Sequence, residues 1–273
     1  MRAPVQGCRD ADESRPSSPA AVTSVPSALV ACRDCTLFRL CLPVGTGSAD
    51  LDLLDRIIKR PRLLPKGAHL FRPGDRFGSV LAVRAGSVET YTIEADARRE
   101  VVAFHLPGEL LALDAIGAGV HRFGARTLEA TSLCEVPFDR LEAIGARVPT
   151  VQRQLVRIMS QQILHDQSLR SRLAIAVAEE RLAIFLMDFS DRIRRRGYSG
   201  TQIPLSMSRR AIGRFLGLAK ETVCRLFARL ERDGLLEVRG RSVRILDADR
   251  LAALGRMPAP EAGLPRDPGG VER

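Results

Sequence analysis

No apolar run in this 273-residue sequence approaches the roughly 20 residues that cross a bilayer, so we expect no membrane association. The first residues lack the apolar stretch of a secretory signal, and we therefore expect a cytoplasmic protein. The sequence contains neither a GxGxxG nor a P-loop motif, which argues against an enzyme. Histidine is scarce and its four copies are isolated from one another, which disfavours a haem sensor.

Basic residues are concentrated towards the C-terminal end of the chain. The formal net charge is +10, and residues 191–250 contain 15 Lys or Arg against 7 Asp or Glu. Such an uneven excess indicates a polyanionic partner in this segment. A solvated basic surface is the alternative interpretation.

Changes in composition and in hydrophobic pattern along the chain predict its domain organisation. Residues 1–28 are rich in proline and serine and are expected to be disordered. Residues 29–48 form a cysteine-rich loop. In residues 49–148 a short amphipathic helix, expected from Ala49 to Lys59, precedes many short β-like runs that alternate with turn signals. This pattern predicts an α+β protein with an antiparallel β-barrel or jelly roll.

The rest of the chain is predicted to be mainly helical. Residues 149–171 form a long helix, with a break expected near residues 169–172, and residues 172–250 form a basic module. Within that module, residues 197–204 are expected to be a loop. Residues 251–273 are rich in proline and glycine and are expected to be a mobile tail.

The segment from Ser206 to Leu246 predicts a winged helix-turn-helix. A helix over residues 208–216, a tight turn and a second helix over residues 220–232 are followed by two strands that form a wing. The polar half of the second helix suits insertion into the major groove of DNA. Candidate DNA-binding residues in this segment are Glu221, Cys224, Arg225, Arg209, Arg210, Lys220 and Arg229.

Four cysteines are candidates for metal or redox chemistry. Cys32, Cys35 and Cys41 form a C-x2-C-x5-C pattern, and Cys134 lies almost a hundred residues further on. Four thiolates suit a tetrahedral zinc ion or an iron–sulfur cluster, and a disulfide between neighbouring cysteines is also possible. The spacing alone leaves these alternatives open.

The basic segment I-G-R-F-L-G-L-A-K-E-T-V-C-R-L resembles the helix-turn-helix of the Crp/Fnr transcription regulators. The resemblance implies that Glu221 and Arg225 read bases. Two positions depart from the family pattern. Cys224 stands in place of the usual serine, and Ala219 replaces the usual helix cap, at a local cost of about 1 kcal/mol.

Three further stretches, C-R-D-C-T-L-F-R-L-C-L-P, F-H-L-P-G-E-L-L-A-L-D-A-I-G and T-S-L-C-E-V-P-F, resemble landmarks of the oxygen-sensing FNR branch of that family. The resemblance implies a cyclic-nucleotide-binding-like sensor domain. It also implies a [4Fe-4S] cluster whose ligands are Cys32, Cys35, Cys41 and Cys134, with Thr36 and Leu40 modulating the access of oxygen.

The resemblance also implies partners. The DNA target is expected to be an inverted repeat similar to TTGAT-N4-ATCAA, and the stretch Gly117–Arg122 is expected to contact RNA polymerase. Cyclic nucleotide is not expected as the effector. Gly124-Ala125 stands where nucleotide-binding relatives have an arginine–serine pair, so the phosphate loses its main charged partner.

The long helix is expected to join two copies of the chain into a homodimer. Leu155, Met159, Ile163 and Asp166 recur at intervals of three and four residues. Two Asp166 carboxylates that face each other disfavour association, and in the FNR branch an aspartate at the matching place makes dimerisation depend on the cluster.

We therefore expect an oxygen-responsive transcriptional regulator that dimerises and binds promoter DNA under low oxygen. One alternative is a DNA-binding regulator whose cysteines act as a thiol–disulfide switch or hold structural zinc. A weaker alternative is an iron–sulfur electron-transfer enzyme.

Overall fold

The computed structural model describes residues 31–256 apart from 44, 46, 61 and 62. The predicted disordered leader, which contains Cys8, lies outside the described residues. The described chain divides into two compact units. One comprises residues 31–168 and 206–220, and the other comprises residues 169–205 and 221–256.

Short antiparallel strands form two sheets in the first unit. One sheet has the order β1-β6-β3-β4 and the other β5-β2-β7. The strands are β1 (His69–Phe71), β2 (Ser79–Ala85), β3 (Val88–Ile93), β4 (Arg99–His105), β5 (Leu110–Leu111), β6 (Gly124–Thr127) and β7 (Ser132–Pro137). The buried faces of these strands carry apolar side chains such as Val80 and Val136.

The turn between β2 and β3 shows why a glycine is needed there. Gly86 has φ +84°, and a Cβ on it would lie 2.6 Å from the carbonyl oxygen of Ala130. Only glycine adopts this backbone conformation without strain and tolerates so close an approach. The glycine therefore allows the hairpin to lie against the segment that leads into β7.

Three helices complete the core of the first unit. They are α1 (Ser48–Ile57), α2 (Phe138–Arg147) and the beginning of α3 (Pro149–Ile175). Leu42, Leu54, Leu141 and Val151 are buried together with side chains of β2 and β7. The cysteine-rich loop, α1 and the start of α3 thus share one apolar core. The predicted amphipathic helix is confirmed, with its end at Ile57.

Helix α5 (Arg209–Leu216) also belongs to the first unit and packs against β4. The rings of Phe215 and Phe104 lie 5.4 Å apart. Ser208 caps the helix, because its hydroxyl accepts a hydrogen bond from the backbone of Ala211 at 3.1 Å. Gly217, with φ 67°, ends it, as expected for glycine after a helix C-terminus.

The second unit contains the rest of the basic module. Its elements are α4 (Ala178–Arg194), β8 (Gln202–Pro204), α6 (Lys220–Arg232), β9 (Leu236–Arg239), β10 (Ser242–Ile245) and α7 (Ala248–Leu254). The strands form a small sheet of order β8-β10-β9. The predicted wing and the predicted second helix are confirmed. Helix α7, with Leu251 buried, overlaps the first residues of the predicted tail.

Two local predictions in this region are wrong. The helix break lies at Ala176 and Val177 rather than near 169–172. It lies there because the Glu180 carboxylate accepts a hydrogen bond from the backbone of Val177 at 3.0 Å and starts a new helix. The expected loop also contains a strand, since Ile203 pairs with Val243 of β10. None of the helices in the described part of the chain has the length and apolarity to span a bilayer.

Candidate cysteine centre and nucleic-acid interface

The four predicted ligand cysteines line one pocket of the first unit. Cys32 begins a short 3₁₀ turn, and Cys41 follows a second one, Phe38–Leu40. Cys134 lies on β7, opposite Ala82 of β2. The fold therefore brings together sulfur atoms from two stretches that are far apart in the sequence. All four cysteines are free thiols.

Burial controls the protonation of these sulfur atoms. Burial, reinforced by the neighbouring Asp55, raises the pKa of the Cys32 thiol to about 12. Burial likewise raises the pKa of Cys41 to about 12 and raises the pKa of Cys134. Burial thus favours the protonated form of these three thiols. Binding of a metal centre would release these protons.

A carboxylate and a guanidinium support Cys32. The backbone N–H of Cys32 donates a hydrogen bond to Oδ1 of Asp55 at 2.8 Å. Arg60 forms an ion pair with the same carboxylate, and its Nη2 lies 3.6 Å from the Cys32 sulfur. Burial opposes ionisation of Asp55, but the hydrogen bonds from Cys32 and Arg60 outweigh it and hold the pKa of Asp55 below its usual value.

Asp55 and Arg60 are site residues that no sequence pattern indicates. Asp55 is a polar residue between the apolar positions of an amphipathic helix, and Arg60 is one arginine among many. Their roles depend on partners 23 and 28 residues away. A sequence pattern carries no signal for such pairs.

Apolar contacts hold the cysteine-rich loop against the sheets. Gly108 has φ +90°, and a Cβ on it would lie 3.1 Å from the Cβ of Leu40. Leu42, directly after Cys41, is buried in the core that also contains Leu54 and Val151. The loop is therefore held at the C-terminal end of its second turn.

The donor set fits a metal centre bound by sulfur. Four cysteine thiols are the usual ligands of iron–sulfur clusters and of structural zinc. Across the described residues, however, no three His, Cys, Asp or Glu side chains are close enough to hold a metal ion. The thiols share a pocket, and the loop would have to move for them to reach coordination distance of one metal centre.

On α6, the polar residues stand on the face away from the apolar ones. Val223, Phe227 and Leu230 are buried, whereas Glu221 and Arg225 are exposed. The Arg225 guanidinium donates to the hydroxyl of Thr222 at 3.3 Å. This arrangement leaves the two side chains that were predicted to read bases accessible to a ligand.

The other candidate DNA contacts differ in exposure. Arg210 is exposed and Lys220 is half-buried, whereas Arg209 and Cys224 are buried. Arg229 is exposed but forms ion pairs with Glu179 at 3.1 Å and with Asp233 at 3.8 Å. The structure thus separates accessible candidates from those that would have to move to meet DNA.

Helix α3 carries an apolar stripe that faces solvent. Val156, Ile163 and Leu164 have exposed fractions of 59%, 53% and 64%. Only Ile163 of these belongs to the predicted seam. Leu155 packs against the apolar core instead, while Met159 and Asp166 are half-buried. The sequence periodicity indicated the helix and missed Val156 and Leu164.

Gly124 and Ala125 stand where nucleotide-binding relatives have the residues that hold the cyclic phosphate. Gly124 and Ala125 lie buried on β6. A Cβ on Gly124 would lie 2.3 Å from the ring of Tyr91, so no side chain fits there. The neighbouring Arg126 donates to the buried carboxylate of Glu89 at 2.5 Å.

Two parts of the chain match models of known protein domains. Residues 61–147 match a model described as a cyclic nucleotide-binding domain, and residues 180–254 match a Crp-like helix-turn-helix domain. The transcriptional activator protein Anr of Pseudomonas aeruginosa is 46% identical over 223 residues, which cover 82% of this chain and 91% of that protein.

Further relatives agree with this result. The fumarate and nitrate reduction regulatory protein of Escherichia coli is 40% identical, over 82% of this chain and 89% of its own. The structure of FixK2 from Bradyrhizobium japonicum superposes with a TM-score of 0.66 and 29% identity, covering 72% of this chain and 97% of that one. On this identity and coverage, the chain belongs to the Crp/Fnr family of transcriptional regulators.

Proposed function

We propose that this protein is an oxygen-responsive transcriptional activator that binds promoter DNA as a homodimer when a [4Fe-4S] cluster is in place. The observation that carries the proposal is the pocket in which Cys32, Cys35, Cys41 and Cys134 meet. The relative named for fumarate and nitrate reduction supports it, because both compounds are electron acceptors other than oxygen. When bound, the cluster supplies chemistry that is sensitive to oxygen.

The chain contains a physical connection between the cysteines and the dimer helix. The amide of Gln154 on α3 donates to the backbone carbonyl of Cys41 at 3.4 Å. Leu42 shares a buried core with Val151 of the same helix. A loop held by four ligands would therefore favour one placement of the start of α3. A ligand that prefers one state shifts the equilibrium by that preference.

The exposed stripe on α3 is a surface suited to a second copy of the chain. Val156, Ile163 and Leu164 would be covered by the partner helix. Asp166 lies one turn or less beyond this stripe, so two copies would bring two carboxylates close together. Their repulsion would weaken the dimer when the cysteines hold no cluster.

Dimerisation would place two reading helices about one DNA turn apart, roughly 34 Å. Glu221 and Arg225 would read bases in each half of an inverted repeat similar to TTGAT-N4-ATCAA. Arg210 and Lys220 would contact phosphates and set the register.

The stretch Gly117–Arg122 would contact RNA polymerase. A cytoplasmic location follows from these partners.

Purification under strict exclusion of air tests the proposal. We expect a brown protein with about four iron and four sulfide per chain that bleaches in air and elutes as a dimer only before bleaching. A colourless protein that contains zinc, or one whose thiols pair reversibly as disulfides, would contradict it. Each of those results would identify one of the alternatives.

A further inference from the structure

We propose that Asp55 and Arg60 are positioning residues for the Cys32 ligand, and that Arg60 donates an N–H···S hydrogen bond to the cluster-bound Cys32 thiolate. The inference rests on the proposed function, because it assigns roles around the same cysteines. It goes further by identifying which side chains outside the ligand set orient a sulfur atom and balance its charge.

Asp55 fixes the backbone of Cys32. The 3₁₀ turn that Cys32 begins has no side-chain cap of its own. Its first N–H is satisfied by the Asp55 carboxylate at 2.8 Å. Asp55 itself is fixed because its neighbour Leu54 is fully buried on α1. The hydrogen bond to Asp55 therefore ties Cys32 to helix α1, in addition to the contacts of the loop itself.

Arg60 connects the two stretches of chain that carry ligands. Its side chain is 9% exposed and pairs with Asp55, and its Nη2 is 3.6 Å from the Cys32 sulfur. The preceding residue, Lys59, exchanges two backbone hydrogen bonds of 2.8 Å with Glu135. Glu135 directly follows Cys134 on β7. Arg60 is thus anchored beside both Cys32 and Cys134.

The charge of the site gives Arg60 a function. A cluster with four thiolate ligands is a buried anion, and a buried charge is costly unless it is paired and hydrogen-bonded. Hydrogen bonds to the sulfur atoms and nearby charge also set the reduction potential of such clusters. The guanidinium of Arg60 offers both a hydrogen bond to sulfur and a positive charge. Arg84 also lines the pocket, and its positive charge lies near Cys134.

Variants of Arg60 in the anaerobically purified full chain test the hydrogen bond. Arg60→Met is expected to make the midpoint potential more negative and to increase the rate of bleaching in air by roughly tenfold, in line with the effect of losing an outer-sphere partner. Arg60→Lys keeps a charged donor and is expected to recover most of the difference. The matched control is Arg33→Met. Arg33 lies next to Cys32 in the cysteine-rich loop, but its side chain pairs with Asp52 and is 63% exposed.

A second readout uses the cluster-free chain. Selective 15N labelling of cysteine reduces the amide spectrum to the six cysteine signals. Among them, the hydrogen exchange of the Cys32 amide reports its bond to Asp55. Asp55→Ala is expected to speed this exchange by on the order of tenfold, whereas Asp55→Asn retains an acceptor oxygen and is expected to change it little. Circular dichroism confirms that each variant is folded.

The outcomes separate this inference from the proposed function. If the wild type carries iron but Arg60→Met and Arg33→Met share one potential and one bleaching rate, the role of Arg60 is refuted and the proposed function stands. If Cys32 exchanges equally fast in the wild type and in Asp55→Ala, the role of Asp55 is refuted. A wild type without iron overturns both the proposed function and the hydrogen bond to a cluster ligand.

Discussion

Helix α6 and the cysteine centre hold their functional side chains by different means. In α6, the backbone ladder and the buried Val223, Phe227 and Leu230 fix which face is presented. In the cysteine centre, the turns are short, and Cys32 is oriented by side chains from α1 and from the segment after it. Local periodicity is therefore sufficient to specify α6 and its buried face, whereas the cysteine centre depends on contacts between distant residues.

The largest effect is expected from the removal of a proposed cysteine ligand. Cys134→Ala deletes the one proposed ligand that lies on the distant strand β7, so we expect loss of the proposed cluster and of dimerisation. We also expect loss of specific DNA binding, although the reading helix is untouched. Iron analysis and fluorescence anisotropy with an inverted-repeat duplex measure these changes. Cys8→Ala is the control and should retain the iron. A Cys134→Ala protein with full iron content would contradict the ligand assignment.

A substitution on α6 should have a smaller effect that is confined to DNA. Arg225→Ala removes the proposed bidentate contact to a guanine, which is worth about 1–3 kcal/mol, so specific affinity should fall roughly tenfold or more. The cluster content should not change. The matched control, Arg232→Ala, lies on the last turn of the same helix and should weaken binding to all sequences equally. Equal losses in the two variants would contradict base reading by Arg225.

A third test concerns the proposed dimer helix α3, which is distinct from both α6 and the cysteine centre. Asp166→Ala removes the proposed repulsion between carboxylates, so the cluster-free chain should associate about tenfold more tightly, equivalent to about 1.4 kcal/mol. Sedimentation velocity in air measures this change. Asp139→Ala, an exposed carboxylate on α2, makes the same change of charge elsewhere. Unchanged sedimentation of Asp166→Ala would show that Asp166 is not at the interface.

The most local effect concerns the packing of the cysteine-rich loop against Gly108. Gly108→Ala places a Cβ 3.1 Å from Leu40 at φ +90°, and the backbone strain alone costs about 1–2 kcal/mol. Thermal unfolding of the cluster-free chain should show this loss. Gly117→Ala is the control, because a Cβ there meets nothing within 4 Å. Identical unfolding curves for the two variants would remove Gly108 from the account.

The fold class could be predicted from the sequence because its signals are local. Turn residues between short apolar runs indicated the antiparallel sheets, and the spacing of Val223, Phe227 and Leu230 gave the bounds of α6. The strand Gln202–Pro204 was missed because it is short and exists only through pairing with β10. Pairing of this kind leaves no periodicity in the sequence.

The candidate site was predictable only in part. The four cysteines stand out by residue type and spacing, and the structure brings them to one pocket. Their assignment as cluster ligands stays a prediction. Asp55 and Arg60 could not be predicted, because their contacts to Cys32 depend on how α1 packs. Similarly, the exposed Val156 and Leu164 could be distinguished from the packed Leu155 only once the core was known.

One paired measurement tests the central claim most directly. A single anaerobic preparation is titrated with a duplex containing TTGAT-N4-ATCAA, and the titration is repeated after exposure to air, with sedimentation and iron content recorded each time. We predict tight binding by an iron-containing dimer before exposure, and weak binding by an iron-poor monomer afterwards. Equal affinity and equal mass in both titrations, with no iron in either, would contradict the account.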